Sequence, residues 1–323
     1  MTRAGLAGLL AAAALSACAP APASLPLAPV PAGPAIAIEA EAVPLNPADP
    51  AQDRVGRFVY AGGLHLTSDQ TSRLHGLSDL KVRPNGRLVS ESDEGDLVEA
   101  RMVLDAAGRL SGLADARLTA LAGEDGKPLP SKAEADAEGL ALMPNGDMLV
   151  SFERHHRILL YPAGGGAPRQ APMPSEAFPA NDGMEALAAL PAVGPDAYVV
   201  GAEAAGHTWV CRVSAACEAG YAVEPPAGAG LVAAAPLPDG AIAWLLRSYD
   251  PLTGNRITLT VRDAKGAELD RMVLARPLTV DNFEGLAAVP GAEGRIRFYL
   301  ISDDNFSPSQ RTLLLAFDWT PKT

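Results

Sequence analysis

The chain is poor in aromatic residues: three Trp, six Tyr and seven Phe make up 5% of its 323 positions. Faces that grip a protein or a glycan lean on large aromatic anchors, and little here could build one. Basic residues are also short, 26 Lys and Arg against 38 Asp and Glu, for a formal net charge of −12. A surface of that sign repels phosphate backbones, which excludes nucleic acid as a partner. Cysteine is scarce, with only Cys18, Cys211 and Cys217, and no Cys-x-x-Cys or neighbouring His pair completes a zinc ligand set. Several catalytic signatures are missing: the Gly-x-Ser-x-Gly elbow, the His-Glu-x-x-His helix, the Gly-x-x-x-x-Gly-Lys phosphate loop and the Arg-His-Gly-x-Arg of acid phosphatases. The letters Gly228-Ala229-Gly230-Leu231-Val232-Ala233 run on into Pro236 and a Pro-Asp-Gly turn where a dinucleotide fold needs a helix.

What the chain does have is one sentence repeated. A strand opening with Glu-Gly-Leu-Ala or a variant leads to a Pro-Asn-Gly type turn and a second strand that ends near an acid. Copies start at His75-Gly76-Leu77-Ser78-Asp79, Glu138-Gly139-Leu140-Ala141, Glu185-Ala186-Leu187-Ala188, Gly230-Leu231-Val232-Ala233 and Glu284-Gly285-Leu286-Ala287. Recurrence about every 45 to 60 residues as strand, tight turn and strand is the signature of propeller blades around a channel. Runs with helical period are scarce, the best being Ser131 to Asp136. The expected fold is all-β: a single β-propeller, its length matching six four-stranded blades. Arg57–Leu66 and Thr312–Asp318 are expected in one blade, closing the ring with strands from both chain ends, because an unpaired terminal strand leaves backbone polar groups open.

The first residues read as an address. Arg3, the apolar stretch from Leu6 to Leu15, and Leu15-Ser16-Ala17-Cys18 resemble a bacterial lipoprotein signal and its cleavage box. That resemblance implies a signal peptide over 1–17, acylation of Cys18 and, with Ala19 following it, an outer-membrane anchor facing the periplasm. Residues 18–50, rich in Ala and Pro, read as a tether, leaving 51–323 as the propeller domain. Contact with the membrane is expected through the lipid alone, and the protein as a monomer. In an exported chain, Cys211 and Cys217 flank a short turn and are expected to close a hairpin disulfide.

The ordered set Asp136-Ala137-Glu138-Gly139-Leu140-Ala141, Ser151-Phe152-Glu153-Arg154-His155-His156-Arg157, Asn181-Asp182-Gly183-Met184-Glu185-Ala186-Leu187, Arg247-Ser248-Tyr249-Asp250-Pro251, Asn282-Phe283-Glu284-Gly285-Leu286 and Ser302-Asp303-Asp304-Asn305-Phe306 resembles the phytase-like family known as "esterase-like activity of phytase". The resemblance spans roughly residues 57–319 and implies a propeller of the bacterial envelope.

The chemistry rests on Glu138, Glu185 and Glu284, which hold one place in their repeats and should ring one channel mouth. Carboxylates gathered there cannot all stay ionised without a counter-charge. An all-oxygen ligand set of these three with Asp79 and Asp304 favours Ca2+. The same placement also suits carboxylates that accept backbone N–H bonds from the next blade and staple the ring. Arg247, Glu153 and His75 are the candidate catalytic groups: Arg247 to neutralise developing charge, Glu153 at a strand end, and His75 just before Gly76, where other copies carry Glu. The expected activity is calcium-dependent hydrolysis of a small anionic phosphoester or other ester. The alternative is an envelope propeller that binds without catalysing.

Overall fold

A computed structural model describes residues 35–321; the leader and Cys18 lie outside the described residues. The strands build five sheets, each starting with one of the five repeat openings. Blade 1 is β4 (Leu77–Val82), β5 (Arg87–Ser92), β6 (Asp96–Leu104) and β7 (Leu110–Ala120); blade 2 is β8 (Ala137–Leu142), β9 (Met148–Phe152), β10 (Arg157–Tyr161) and β11 (Arg169–Ala171). Blade 3 is β12 (Ala186–Ala189), β13 (Ala197–Gly201), β14 (Thr208–Arg212) and β15 (Ala215–Ala219); blade 4 is β16 (Ala229–Pro236), β17 (Ile242–Asp250), β18 (Gly254–Arg262) and β19 (Glu268–Leu274).

Blade 5 takes strands from both ends of the chain. Its β20 (Asn282–Pro290), β21 (Ile296–Asp303) and β22 (Leu313–Trp319) are completed by β3 (Phe58–Thr67), with Leu313 opposite His65 and Asp318 opposite Val59. Two short strands, β1 (Glu39–Ala42) and β2 (Arg54–Val55), cover the outer edge of β3. This sheet is the ring closure expected from the strand pattern.

The blade count is five, not six. Length misled the estimate because it is spent on long hairpins: β3 has 10 residues, β7 has 11, and β6, β17, β18 and β20 have 9 each. Part of the stretch read as tether is also built onto the body, since β1 pairs with β3 and Leu45 is buried.

The hairpins are set by their turn residues. Asn85, Asn145 and Asp239 each accept a hydrogen bond from the backbone N–H two residues on, at 3.1 Å in all three blades. Such Asx turns reverse the chain locally. The core consists of five apolar clusters, one per blade interface: Leu80 with Leu314, Leu140 with Val89, Leu187 with Ile158, Leu231 with Trp244, and Phe283 with Leu245 mark the five. The few large aromatics are spent here, with Trp244, Tyr198, Phe58 and Phe298 fully buried.

Inner strands approach so closely that side chains between them are limited. A Cβ on Gly285 would lie 2.8 Å from the Cα of Asp79 on the next blade. The short helix α1 (Lys132–Ala135) lies in the loop entering blade 2, as the weak helical signal there suggested.

Candidate functional site, an acidic channel mouth

In four inner-strand pairs the ladder skips one residue: Ser78, Glu138, Val232 and Glu284 fall in the register shifts between β4 and β5, β8 and β9, β16 and β17, and β20 and β21. Glu185, immediately before β12, stands in the same place. A bulged residue leaves the ladder and its side chain is re-aimed, which carries Glu138, Glu185 and Glu284 to one mouth. A second tier comes from the end of each second strand. The N–H groups of Asp93, Glu153 and Glu203 donate to the carbonyls of Gly76, Asp136 and Gly183 at 2.9, 2.8 and 3.1 Å. In the other two blades Arg247 pairs with Gly230 and Asp303 with Asn282. Four acids and one arginine therefore occupy equivalent positions above the bulge tier.

Protein cations compensate only part of this charge. Arg247 holds Glu284 at 2.7 Å and Glu203 at 3.2 Å, and donates to the Asn282 side-chain oxygen at 2.8 Å. Asn282 donates in turn to Glu284 at 3.0 Å. Lys132 reaches Asp93 at 2.6 Å and Asp136 at 2.5 Å, and Arg154 bonds the other oxygen of Asp136. Between these two compensated regions, Glu153 Oε1 is buried with no partner. Ligand oxygens of Glu153, Glu185 and Glu203 lie within 4.8 Å of one another, as do those of Asp136, Glu138 and Glu153.

The electrostatic result is a set of carboxyls that resist ionisation. Burial, then Asp136 and Glu203, pushes Glu153 up to about 7. Burial followed by Glu284 and Glu153 lifts Glu138 well above the carboxylate range, and burial followed by Glu203 does the same for Glu185. Asp303 is raised likewise by burial and Glu284, and Asp93 by burial to about 6. These mutual effects place Glu138, Glu185 and Glu284 within electrostatic reach of one another, the convergence expected from their matching places in the repeat.

The other expected site residues have different surroundings. Asp79 is fully buried at the inner ends of blades 1, 2 and 5. Its carboxylate accepts N–H bonds from Leu80 at 2.7 Å and from Leu140 and Leu286 at 3.1 Å, and it bonds the Lys81 ammonium. With its acceptor sites filled by two neighbouring blades and a lysine, Asp79 is a staple, not a ligand with a free oxygen. Asp304 is also spent, accepting from Gly76 N–H at 3.1 Å, Phe306 N–H at 3.2 Å and the Thr312 hydroxyl at 3.0 Å.

His75 is buried edge-on against Phe306, ring centroids 3.7 Å apart, and burial lowers it to about 4, so it is neutral. Its counterpart in blade 2 is not Glu138, because the bulge aligns Ser78 with Glu138. Arg247 lies in the mouth, but its guanidinium is engaged by its neighbours rather than open to an anion. Cys211 and Cys217 are bonded across the hairpin of blade 3. Glu203, Asp303, Asp93 and Asp136 complete the mouth, and the sequence reading gave them no role. The signal is the residue on each second strand or just past it that stands opposite the start of the repeat: Asp93, Glu153, Glu203, Arg247, Asp303.

A divalent cation fits this arrangement. The donors are all carboxylate oxygens, which hard cations prefer. Six to eight oxygens at 2.3–2.6 Å from a calcium ion lie no more than about 5 Å from one another, and the Glu153, Glu185 and Glu203 oxygens meet that limit. A cation would also give the unpartnered Glu153 oxygen a partner.

A family model described as "Esterase-like activity of phytase" matches residues 72–306. A search of curated protein sequences found no match. Among solved structures, a putative gluconolactonase is 15% identical, with a TM-score of 0.47, covering 90% of this chain and 96% of its own. An aldose sugar dehydrogenase from Streptomyces coelicolor in its PQQ-bound form is 12% identical with a TM-score of 0.45, covering 82% and 97%. A virginiamycin B lyase from Staphylococcus aureus is 11% identical with a TM-score of 0.43, covering 86% and 99%.

Proposed function

The chain belongs to the phytase-like family, and on that premise we propose that its acidic mouth binds Ca2+ and hydrolyses a small anionic ester, a phosphoester or a carboxylic ester. The observation that carries this reading is that Glu153, which has a buried, partnerless oxygen, offers a carboxylate oxygen within 4.8 Å of those of Glu185 and Glu203. Those three side chains would hold the ion, with Glu138 and Asp136 beside them. A bound cation supplies Lewis acidity toward the ester oxygen and lowers the pKa of a coordinated water.

The chain's own groups set the stage. Arg247 fixes Glu203 and Glu284 from one side, and Lys132 with Arg154 fixes Asp136 from the other. Both are positioning contacts that leave the ligand oxygens where they are without movement on binding. Glu138 is partly exposed beside Glu153, with its proton affinity raised by burial and by its acidic neighbours. It is the carboxyl placed beside the three ligands to take a proton from an attacking water. Neither His75 nor a covalent nucleophile enters this scheme. In this reading the protein is carried on a lipid anchor at Cys18, at the outer membrane and facing the periplasm, and acts as a monomer; the leader pattern supports the anchor.

The test is direct. Purified protein is assayed with 4-nitrophenyl phosphate and 4-nitrophenyl acetate, with calcium and with chelator, beside Glu153→Gln. Loss of turnover in chelator and in the variant is expected; activity indifferent to both sinks the reading.

One observation favours the alternative of a binding module. The opposite end of the channel is an apolar depression of about 1220 Å3, lined by residues such as Leu142, Pro144, Leu190, Pro191, Pro236 and Ile242. Apolar concavities of that size are binding surfaces. A protein that retains calcium but turns over neither ester would shift attention to that end.

A further inference from the structure

Blade 4 interrupts the acidic ring. In the bulge, where blades 2, 3 and 5 carry Glu138, Glu185 and Glu284, it has Val232, and Arg247, opposite Gly230, takes the place that Asp93, Glu153, Glu203 and Asp303 hold in the other blades. A Cβ on Gly230 would sit 2.6 Å from Cγ and a carboxylate oxygen of Glu203, so a side chain here would push Glu203 out of its place. The result is a notch of about 480 Å3 at the rim, bounded by Asn181, Asp182, Glu203, Arg247 and Tyr249. Its floor, Gly228-Ala229-Gly230, bears a single methyl group.

One wall of the notch is a projecting hairpin. Strands β17 and β18 continue pairing past Arg247, with Ser248 opposite Arg256, Tyr249 opposite Asn255 and Asp250 opposite Gly254. Asp250 fastens the tip by accepting from the N–H groups of Leu252 and Thr253, both at 2.9 Å. This rigid hairpin presents Tyr249 and Leu252 at 68% and 89% exposure, in a protein that otherwise buries most of its large apolar side chains. Glu203 belongs to both places: it lines the notch and is one of the three clustered carboxylates, with Glu153 and Glu185. A molecule with its reacting group in the mouth can therefore extend along the blade 4 floor toward Tyr249.

We propose that this notch receives the non-reacting part of the substrate, and that this part is a flat apolar group, an aryl ring being the type, seated against Tyr249. The proposal rests on the reading of the mouth as a calcium-dependent ester site and adds the class of ester it takes. A flat ring suits the bare floor and gains contact with the tyrosine face. A compact alkyl ester would leave the notch unfilled. A second anion is disfavoured by Asp182 and Glu203 in the wall.

The experiment uses calcium-loaded protein and two phosphonates whose carbon–phosphorus bond cannot be hydrolysed. Phenylphosphonate and methylphosphonate are titrated by calorimetry into wild type, Tyr249→Ala and Tyr249→Phe, after a calcium titration of each. Wild type and Tyr249→Phe are expected to bind phenylphosphonate about tenfold more tightly than methylphosphonate. In Tyr249→Ala the ratio should fall to within about twofold. Equal affinities in wild type, or a preference that survives Tyr249→Ala, overturn the proposal while leaving the calcium site standing. Failure of calcium, or of both phosphonates, to bind overturns the ester site together with the notch.

Discussion

Asp79 and Glu153 are both buried carboxylates on inner hairpins near one end of the channel, yet they have opposite surroundings. Asp79 is met by three backbone N–H groups and a lysine, so that Leu140 and Leu286 on the two flanking blades hang from it. Glu153 keeps an oxygen that makes no hydrogen bond, and only the Gly183 backbone N–H nearby favours its charged form amid other acids. The comparison separates a carboxylate that staples a ring from one whose charge its surroundings leave unmet, as the proposed cation site requires. The criterion is the supply of donors around the oxygen, and burial alone does not decide it.

Breaking the staple should have the largest effect. Asp79→Ala strands Lys81 without its counter-charge and leaves the Leu140 and Leu286 N–H groups unsatisfied, so a loss of about 3–5 kcal/mol is expected by urea unfolding. Added calcium should not restore it. Recovery with calcium would mean that Asp79 belongs to the cation site after all.

Calcium itself comes next. At a hundredfold excess over Kd it should stabilise the protein by about 2.7 kcal/mol, or about 5–10 °C in Tm for a domain of this size. The effect should depend on pH in a defined direction. Glu153 titrates near 7 in the cation-free fold against an ordinary 4.5, so the fold holds more protons than the unfolded chain between those values. Cation-free stability therefore falls as pH rises through this window. Calcium, which needs the ionised form, gains affinity over the same range. Thermal melts should show a large calcium shift at pH 8 and almost none at pH 5. A shift that is constant with pH would place the ion elsewhere.

The smallest change sharpens the contrast. Glu153→Gln removes a repelled charge, so cation-free protein at pH 8 should be more stable than wild type by about 1 kcal/mol. The same variant should lose its calcium response. Destabilisation in the absence of calcium would show that Glu153 is held by donors, as Asp79 is.

Much of this was legible in the sequence, and the exceptions have physical causes. The five openings and their turns gave the propeller, and Glu138, Glu185 and Glu284 were legible because the bulge repeats with the motif. Blade count was not, since strands of 9 to 11 residues use up the length of a sixth blade. Blade 1 was misaligned by its letters: Gly76-Leu77 imitates Gly-Leu of the other copies, whereas pairing sets Ser78 beside Glu138 and Asp79 beside Gly139. That one slip cast His75 as a mouth acid's counterpart and Asp79 as a ligand. Glu203 and Asp303 were not legible because the acid's place drifts in the letters, standing one residue past β5 and β9, two past β13 and at the last residue of β21.

The sheet shared by β3 and β22 has a consequence for how the molecule is made. Its partners lie about 250 residues apart in the sequence, so a chain emerging from the ribosome can assemble only an open arc of blades until β22 is free. The flanks of that arc expose the apolar surfaces that later seal blade 5 against blades 1 and 4. Assembly is therefore gated by the synthesis of β22, and truncation just short of residue 313 should yield an aggregation-prone species instead of a slightly weakened protein.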